Sequence, residues 1–190
     1  MGKAYNKSEI TYDQQKFKEL MLLFAVKCKD HPLFGAIKLN KQFFWSDFLA
    51  YKELGKPITG AKYQALDWGP SPTPLIPIRQ EMMDDREIEL VVSGHQERVV
   101  ARRKPDLSRF SKEELKIVYR VIRRLKERDW RETSDGSHEF IGWKAAQAER
   151  EATGQRVYIP YGTIHITTKR PSRKQWALGR ELATKYEWSV

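Results

Sequence analysis

The side chains best suited to chemistry are few and scattered. Four histidines stand at positions 31, 95, 138 and 165, and Cys28 is the one cysteine. None of them falls in the His-x-x-x-His or Cys-x-x-Cys spacing that brings metal donors together, so no metal site is expected. Asp135, Ser137 and His138 carry the three side-chain types of a nucleophilic triad. Side chains one residue apart on a helix diverge, however, and a hydrogen-bonded structural histidine is the expected reading. Glu81, Asp84, Asp85 and Glu87 cluster at a predicted helix end, where carboxylates are more often solvated than catalytic. No glycine-rich loop leads into Lys-Ser or Lys-Thr, so no P-loop is present and nucleotide hydrolysis is not indicated. The chain is read as a non-enzyme with no catalytic residue, no metal and no cofactor.

Charge points to binding instead. Lys and Arg number 35 against 25 Asp and Glu, a net +10 that favours nucleic acid or an acidic protein surface. Arg102-Arg103-Lys104, the Lys116-Arg120-Arg123 side of a predicted helix and the Lys169 to Lys174 tract either converge on a polyanion or form three solvated surfaces. Without a recognisable nucleic-acid fold, the solvated reading is preferred.

The elements that must position these residues are mostly helical. Phe17, Leu20, Met21, Phe24, Ala25 and Cys28 recur at steps of three and four, predicting an amphipathic helix from about Asp13 to Lys27 after a polar arm. Cys28 falls in phase with its apolar face, which makes a buried thiol the expectation. A second helix begins near Ala36 and carries Leu39, Phe43, Phe44, Trp45, Phe48, Leu49, Tyr51 and Leu54, enough to bury more than one face. Gly55 and Pro57 end it. Ala61 to Trp68 then reads as an extended strand or a distorted turn before Gly69-Pro70.

Thr73 is a candidate N-cap with Pro74 at the first helical position, and Pro77 is expected to delay the regular start. Residues 88–92 and 98–101 flank Ser93-Gly94-His95-Gln96 and predict a hairpin with a four- or five-residue loop. Ser111 and Glu114 form a capping box, with Phe110 and Leu115 as its staple, on a helix expected to reach about Asp129. Thr133 or Ser134 is the candidate cap of a helix containing Ser137-His138. A break at Gly142, a helix from Trp143 toward Glu151, the short apolar run Val157-Tyr158-Ile159 and a terminal helix follow.

Four pieces in order carry a resemblance: Lys38-Leu39-Asn40-Lys41 leading the aromatic helix, the turn Gly55-Lys56-Pro57-Ile58-Thr59-Gly60, Gly69-Pro70, and Ser137-His138 followed by Trp143. Together they resemble the Panacea domain of SocA-like antitoxins over about Asp13 to Ile166. Two departures stand out: Ser71-Pro72 where an apolar residue often comes first, and Gly142 where proline is expected before Trp143.

The resemblance implies a fold that is mainly α, in an α+β arrangement with a β-hairpin. The predicted organisation is an arm at 1–12, a Panacea-like domain at 13–166, and a basic linker with a C-terminal helix at 167–190. It further implies a bacterial or phage antitoxin that neutralises a cognate protein toxin by direct contact in the cytoplasm. Nucleic-acid binding for a mobile element and delivery of the toxin to a protease are the alternatives. No stretch approaches the roughly 20 apolar residues of a membrane span. Because interfaces use buried aromatic and Arg anchors, the candidate partner contacts are Tyr63, Trp68, Trp143, Arg120, Arg123 and Arg124. For Tyr63 and Trp68, packing of the turn onto the core is the competing reading.

Overall fold

Asp13 starts the first helix, its carboxylate accepting the Lys16 amide at 2.9 Å. This begins the fold in a computed structural model that describes residues 9–31, 34–93, 96–126, 137–166 and 172–185. Helix α1 (Gln14–Lys27) buries every residue from Phe17 to Ala25, so it is enclosed rather than laid on a surface. Helix α2 (Ala36–Leu54) ends at Gly55, whose φ of 75° gives the left-handed cap that glycine adopts without steric cost. Phe17 stacks on Phe43 at 4.1 Å, while Phe44 and Phe48 meet Tyr63 and Phe140 edge-on. Aromatics on several faces of α2 thus make it the axis of the core.

Both readings of the stretch after Gly60 are resolved by a pairing that its prolines conceal. Strands β1 (Tyr63–Leu66) and β2 (Gly69–Pro72) pair antiparallel with Leu66 opposite Gly69, leaving Asp67 and Trp68 as a two-residue turn. Val157 to Ile159 docks along the other side of β1, where the Ala65 amide donates to Val157 at 3.1 Å and the Ile159 amide to Tyr63 at 2.8 Å. The fold therefore has one more hairpin than expected.

Thr73 is not a helix cap, because its amide and hydroxyl both donate to the Lys62 carbonyl and close the hairpin. Helix α3 (Leu75–Asp84) starts behind Pro74 without a side-chain cap. Pro77 does not delay it, since the first turn needs no amide donor.

Strands β3 (Ile88–Ser93) and β4 (Gln96–Ala101) stay in register to Ser93 opposite Gln96, a tighter connection than predicted. An isolated hairpin is marginal, and this one is held on the core by buried Ile88 and Val99. The Arg98 guanidinium also donates to the Lys29 and His31 carbonyls at 2.8 and 2.9 Å.

The capping box is present in both directions: the Ser111 amide donates to Glu114 at 2.8 Å and the Glu114 amide to Ser111 at 3.1 Å. Helix α4 is described over Lys112–Lys126 and buries Ile117, Val118, Val121, Ile122 and Leu125 against α2. Helix α5 (Ile141–Thr153) includes Gly142, so the expected break lies two residues earlier, at the extended N-cap Phe140. A Cβ at 142 would overlap Thr163 and lie 2.6 Å from the Phe140 ring, which makes it a point of close packing instead. Helix α6 (Arg173–Lys185) is the terminal helix. Asp129, Thr133, Ser134, Asp135, Lys169 and Arg170 lie outside the described residues.

Charged clusters are largely consumed inside the fold. Arg103 donates to buried Glu19 at 2.8 and 2.9 Å and to Glu87 at 2.6 Å, and Arg102 pairs with Glu89. Glu81 binds Lys18 at 2.7 Å, Asp85 lies 3.7 Å from the same lysine, and Asp84 accepts from Gln80. The acidic cluster is therefore tied into the fold, and Arg102 and Arg103 of the basic run are both engaged by carboxylates. Cys28 is buried and free, and Gln42 donates to its sulfur at 3.3 Å. Burial pushes its thiol pKa up.

Candidate partner-binding site

Two polar centres buried along α2 build the motif surface. The first is Asp47, which has no exposed area. Its carboxylate accepts the Thr59 amide at 2.7 Å, the Thr59 hydroxyl at 2.5 Å, the Tyr63 hydroxyl at 2.8 Å and the Tyr161 hydroxyl at 3.3 Å. The loop between Gly55 and Gly60 is thereby tied to the core, and Gly60 (φ 69°) lets the N-terminal segment close over it: a Cβ there would run into the Thr11 carbonyl. Burial raises the Asp47 pKa against the opposing pull of these hydrogen bonds.

The second centre is Lys41, only 1% exposed, whose ammonium donates to the Trp68 carbonyl. Gly69 sits over it with φ 96°, and a Cβ there would overlap Lys41 Nζ and lie 2.8 Å from Ser137 Oγ. Burial alone lowers the Lys41 pKa to about 7. Ser137 is itself fully buried, so Lys41, Gly69-Pro70 and Ser137 form one packed layer beneath the turn. Gly69→Ala is expected to cost about 1–2 kcal/mol for the left-handed backbone alone. Chemical denaturation of the variant beside wild type would show the loss.

Helix α5 holds the turn from behind. The Trp143 indole N–H donates to the Leu66 carbonyl at 3.1 Å, and the Trp143 ring stacks on His138 at 4.1 Å with planes 13° apart. Asp67 accepts from Gln147 at 3.3 Å and pairs with Arg150. Trp68 is left 60% exposed at the tip. The backbone of the turn is thus held at Leu66, Asp67 and Trp68, and the Trp68 indole presents most of its surface outward.

Of the six candidate contacts, Trp68 is displayed and Trp143 stands behind it, half-buried as its support. Tyr63 is 1% exposed and donates to Asp47, so packing onto the core is its role and it offers no surface to a partner. Arg120 binds Glu53 at 2.5 Å, while Arg123 and Arg124 are exposed on α4. Glu53 lies twelve residues beyond Lys41, about 18 Å along α2, so Arg120 is not gathered with Trp68. Asp47 and Tyr161 were missed by sequence reasoning. Their one signal is an aspartate embedded among Phe43, Phe44 and Phe48 on a helix with little polar face.

Three of the four motif pieces thus meet in space, Lys41 from the head of α2, Gly69 from the hairpin, and Ser137, His138 and Trp143 around and behind it, while the Gly55–Gly60 turn is tied separately to Asp47. A family model described as antitoxin SocA-like, Panacea domain, matches residues 39–144, more than half of the chain. The chain belongs to this family. Its Panacea domain match begins inside α2 and ends just after Trp143, a shorter span than the resemblance from Asp13 to Ile166 suggested. Comparison with curated proteins and with solved structures gives no match. Among the described residues of this Panacea protein, no helix is long and apolar enough to cross a membrane, and no cluster of three or more His, Cys, Asp or Glu is placed to hold a metal.

Proposed function

We propose that this chain is the non-catalytic antitoxin of a toxin–antitoxin pair and neutralises its toxin in the cytoplasm by direct protein contact. The observation that carries the reading is convergence. The family's motif residues build and brace a turn whose outward product is an exposed tryptophan. Tryptophan is enriched among residues that dominate binding energy, because a rigid indole buries a large area at little conformational cost. Trp68 is the anchor, with Leu66 exposed beside it at the tip.

Arg123 and Arg124 on α4 form a separate basic surface that contributes to steering toward an acidic partner rather than to the anchor. Co-expression with the product of the adjacent reading frame tests the proposal. The expected result is growth arrest by that product alone and recovery when this chain is present. A harmless neighbour, or arrest that persists with this chain present, would remove the antitoxin reading.

A further inference from the structure

Away from the Trp68 tip, the N-terminal segment, the hairpin base and the 158–162 stretch enclose a cleft of about 890 Å3, a size that holds a short peptide segment. Tyr12, Tyr51, Tyr161 and Pro74 give it an apolar, largely aromatic lining. Tyr158 and Ile159 on its lining belong to a sheet edge. The two bonds between Val157–Ile159 and β1 bracket the Gln64–Tyr158 pair. In an antiparallel ladder, this turns the amide and carbonyl of Tyr158 away from β1 and outward. The outer edge of β2 offers no equal template, because Pro70 and Pro72 lack amide hydrogens.

Charge selects among occupants. Lys62 on the lining is exposed, lies 5.7 Å from the Tyr158 ring centroid, and pairs with no carboxylate among the described residues. Glu9 is the one carboxylate on the lining. We propose that this cleft docks an extended segment of the protein partner, which adds main-chain bonds at Tyr158, lays an aromatic or apolar side chain among the tyrosines and sets a carboxylate on Lys62. Edge pairing supplies affinity that does not depend on sequence, and the pockets beside it supply sequence preference. The inference rests on the antitoxin reading and gives its partner a second contact, apart from the Trp68 turn.

Short random peptides displayed on phage, selected on the full chain, provide the probe. Enriched peptides are expected to carry Asp or Glu beside an aromatic residue. They should weaken about tenfold or more on Lys62→Glu, weaken on Tyr158→Ala, and recover on Lys62→Glu when their acid is replaced by lysine. No enrichment, or binding indifferent to both substitutions, overturns the proposal. So does a chain dimer lost in the same variants, which assigns the cleft to a second copy, or a peptide affinity that rises when residues 1–8 are removed, which assigns it to the chain's own arm. Growth rescue by the same variants separates the two readings. A wild-type chain that fails to restore growth overturns the antitoxin reading alone, with the peptide result judging the cleft. Rescue that survives both substitutions overturns the cleft.

Discussion

Asp47→Ala is expected to destabilise the domain by about 3–5 kcal/mol, since each buried donor left without its acceptor costs about 1–3 kcal/mol. Three donors lose their acceptor at once, the Thr59 amide and hydroxyl and the phenol of Tyr63, and Tyr161 loses its longer contact at 3.3 Å. Tyr161 retains the Ala61 carbonyl at 2.6 Å, whereas buried Tyr63 is left with the Thr59 hydroxyl, which loses its own acceptor in the same substitution. The substitution also unties the 55–60 loop from α2, and with it the seat of the N-terminal segment, whose Asp13 amide donates to Thr59 at 2.8 Å. For a domain of this length, the midpoint of thermal unfolding should fall by about 10 °C or more. Asp47→Asn retains one acceptor oxygen and should cost clearly less. Denaturant titration of both variants checks the order, and an alanine variant within about 1 kcal/mol of wild type would show that the network does not hold the loop.

Stability should rise with pH above neutrality, and Lys41 is the reason. Its folded pKa is lowered to about 7 from an ordinary 10.5, so between those values the unfolded chain binds a proton that the folded chain does not. Folding is then favoured as pH rises, by at most about 1.4 kcal/mol per unit, or roughly 2 kcal/mol between pH 7 and 9. Below pH 7 the lysine is charged in both states and its contribution stays flat, at the unfavourable level set by burial. Lys41→Met removes the titrating group. The stability difference between wild type and variant should therefore move by that amount in favour of wild type across the window, while groups common to both, such as Cys28, cancel. A difference that stays constant from pH 7 to 9 would mean that Lys41 is charged in the fold with a near-ordinary pKa.

What the residue order made legible was local punctuation and periodicity. Asp13, Gly55 and the Ser111-Glu114 box mark helix ends through their own backbone and side-chain bonding, and all three act there. The hairpin from β1 to β2 was not legible, because a strand written Gly-Pro-Ser-Pro violates strand preferences and is held by long-range partners. Lys41 and Ser137 meet beneath Gly69 only after α2 and the 137–143 stretch have packed on the turn. Thr73 shows the same limit in a single residue: a good cap by type, it is recruited by Lys62 across the hairpin. The candidate site divides likewise. Trp68 could be singled out from its type and its Gly-Pro neighbour, whereas the burial of Tyr63 depends on Asp47, sixteen positions earlier in the chain.

Affinity between the purified chain and the adjacent gene product, measured at about 50 and 200 mM salt for wild type and Trp68→Ala, tests direct neutralisation most plainly. An apolar anchor predicts binding that survives the salt change and weakens at least about thirtyfold when the indole is removed, as expected for a hot-spot residue worth 2 kcal/mol or more. Absence of binding, or an affinity unchanged by the substitution, would contradict an anchor at Trp68. Binding to nucleic acid that collapses steeply over the same salt interval would instead point to phosphate contacts.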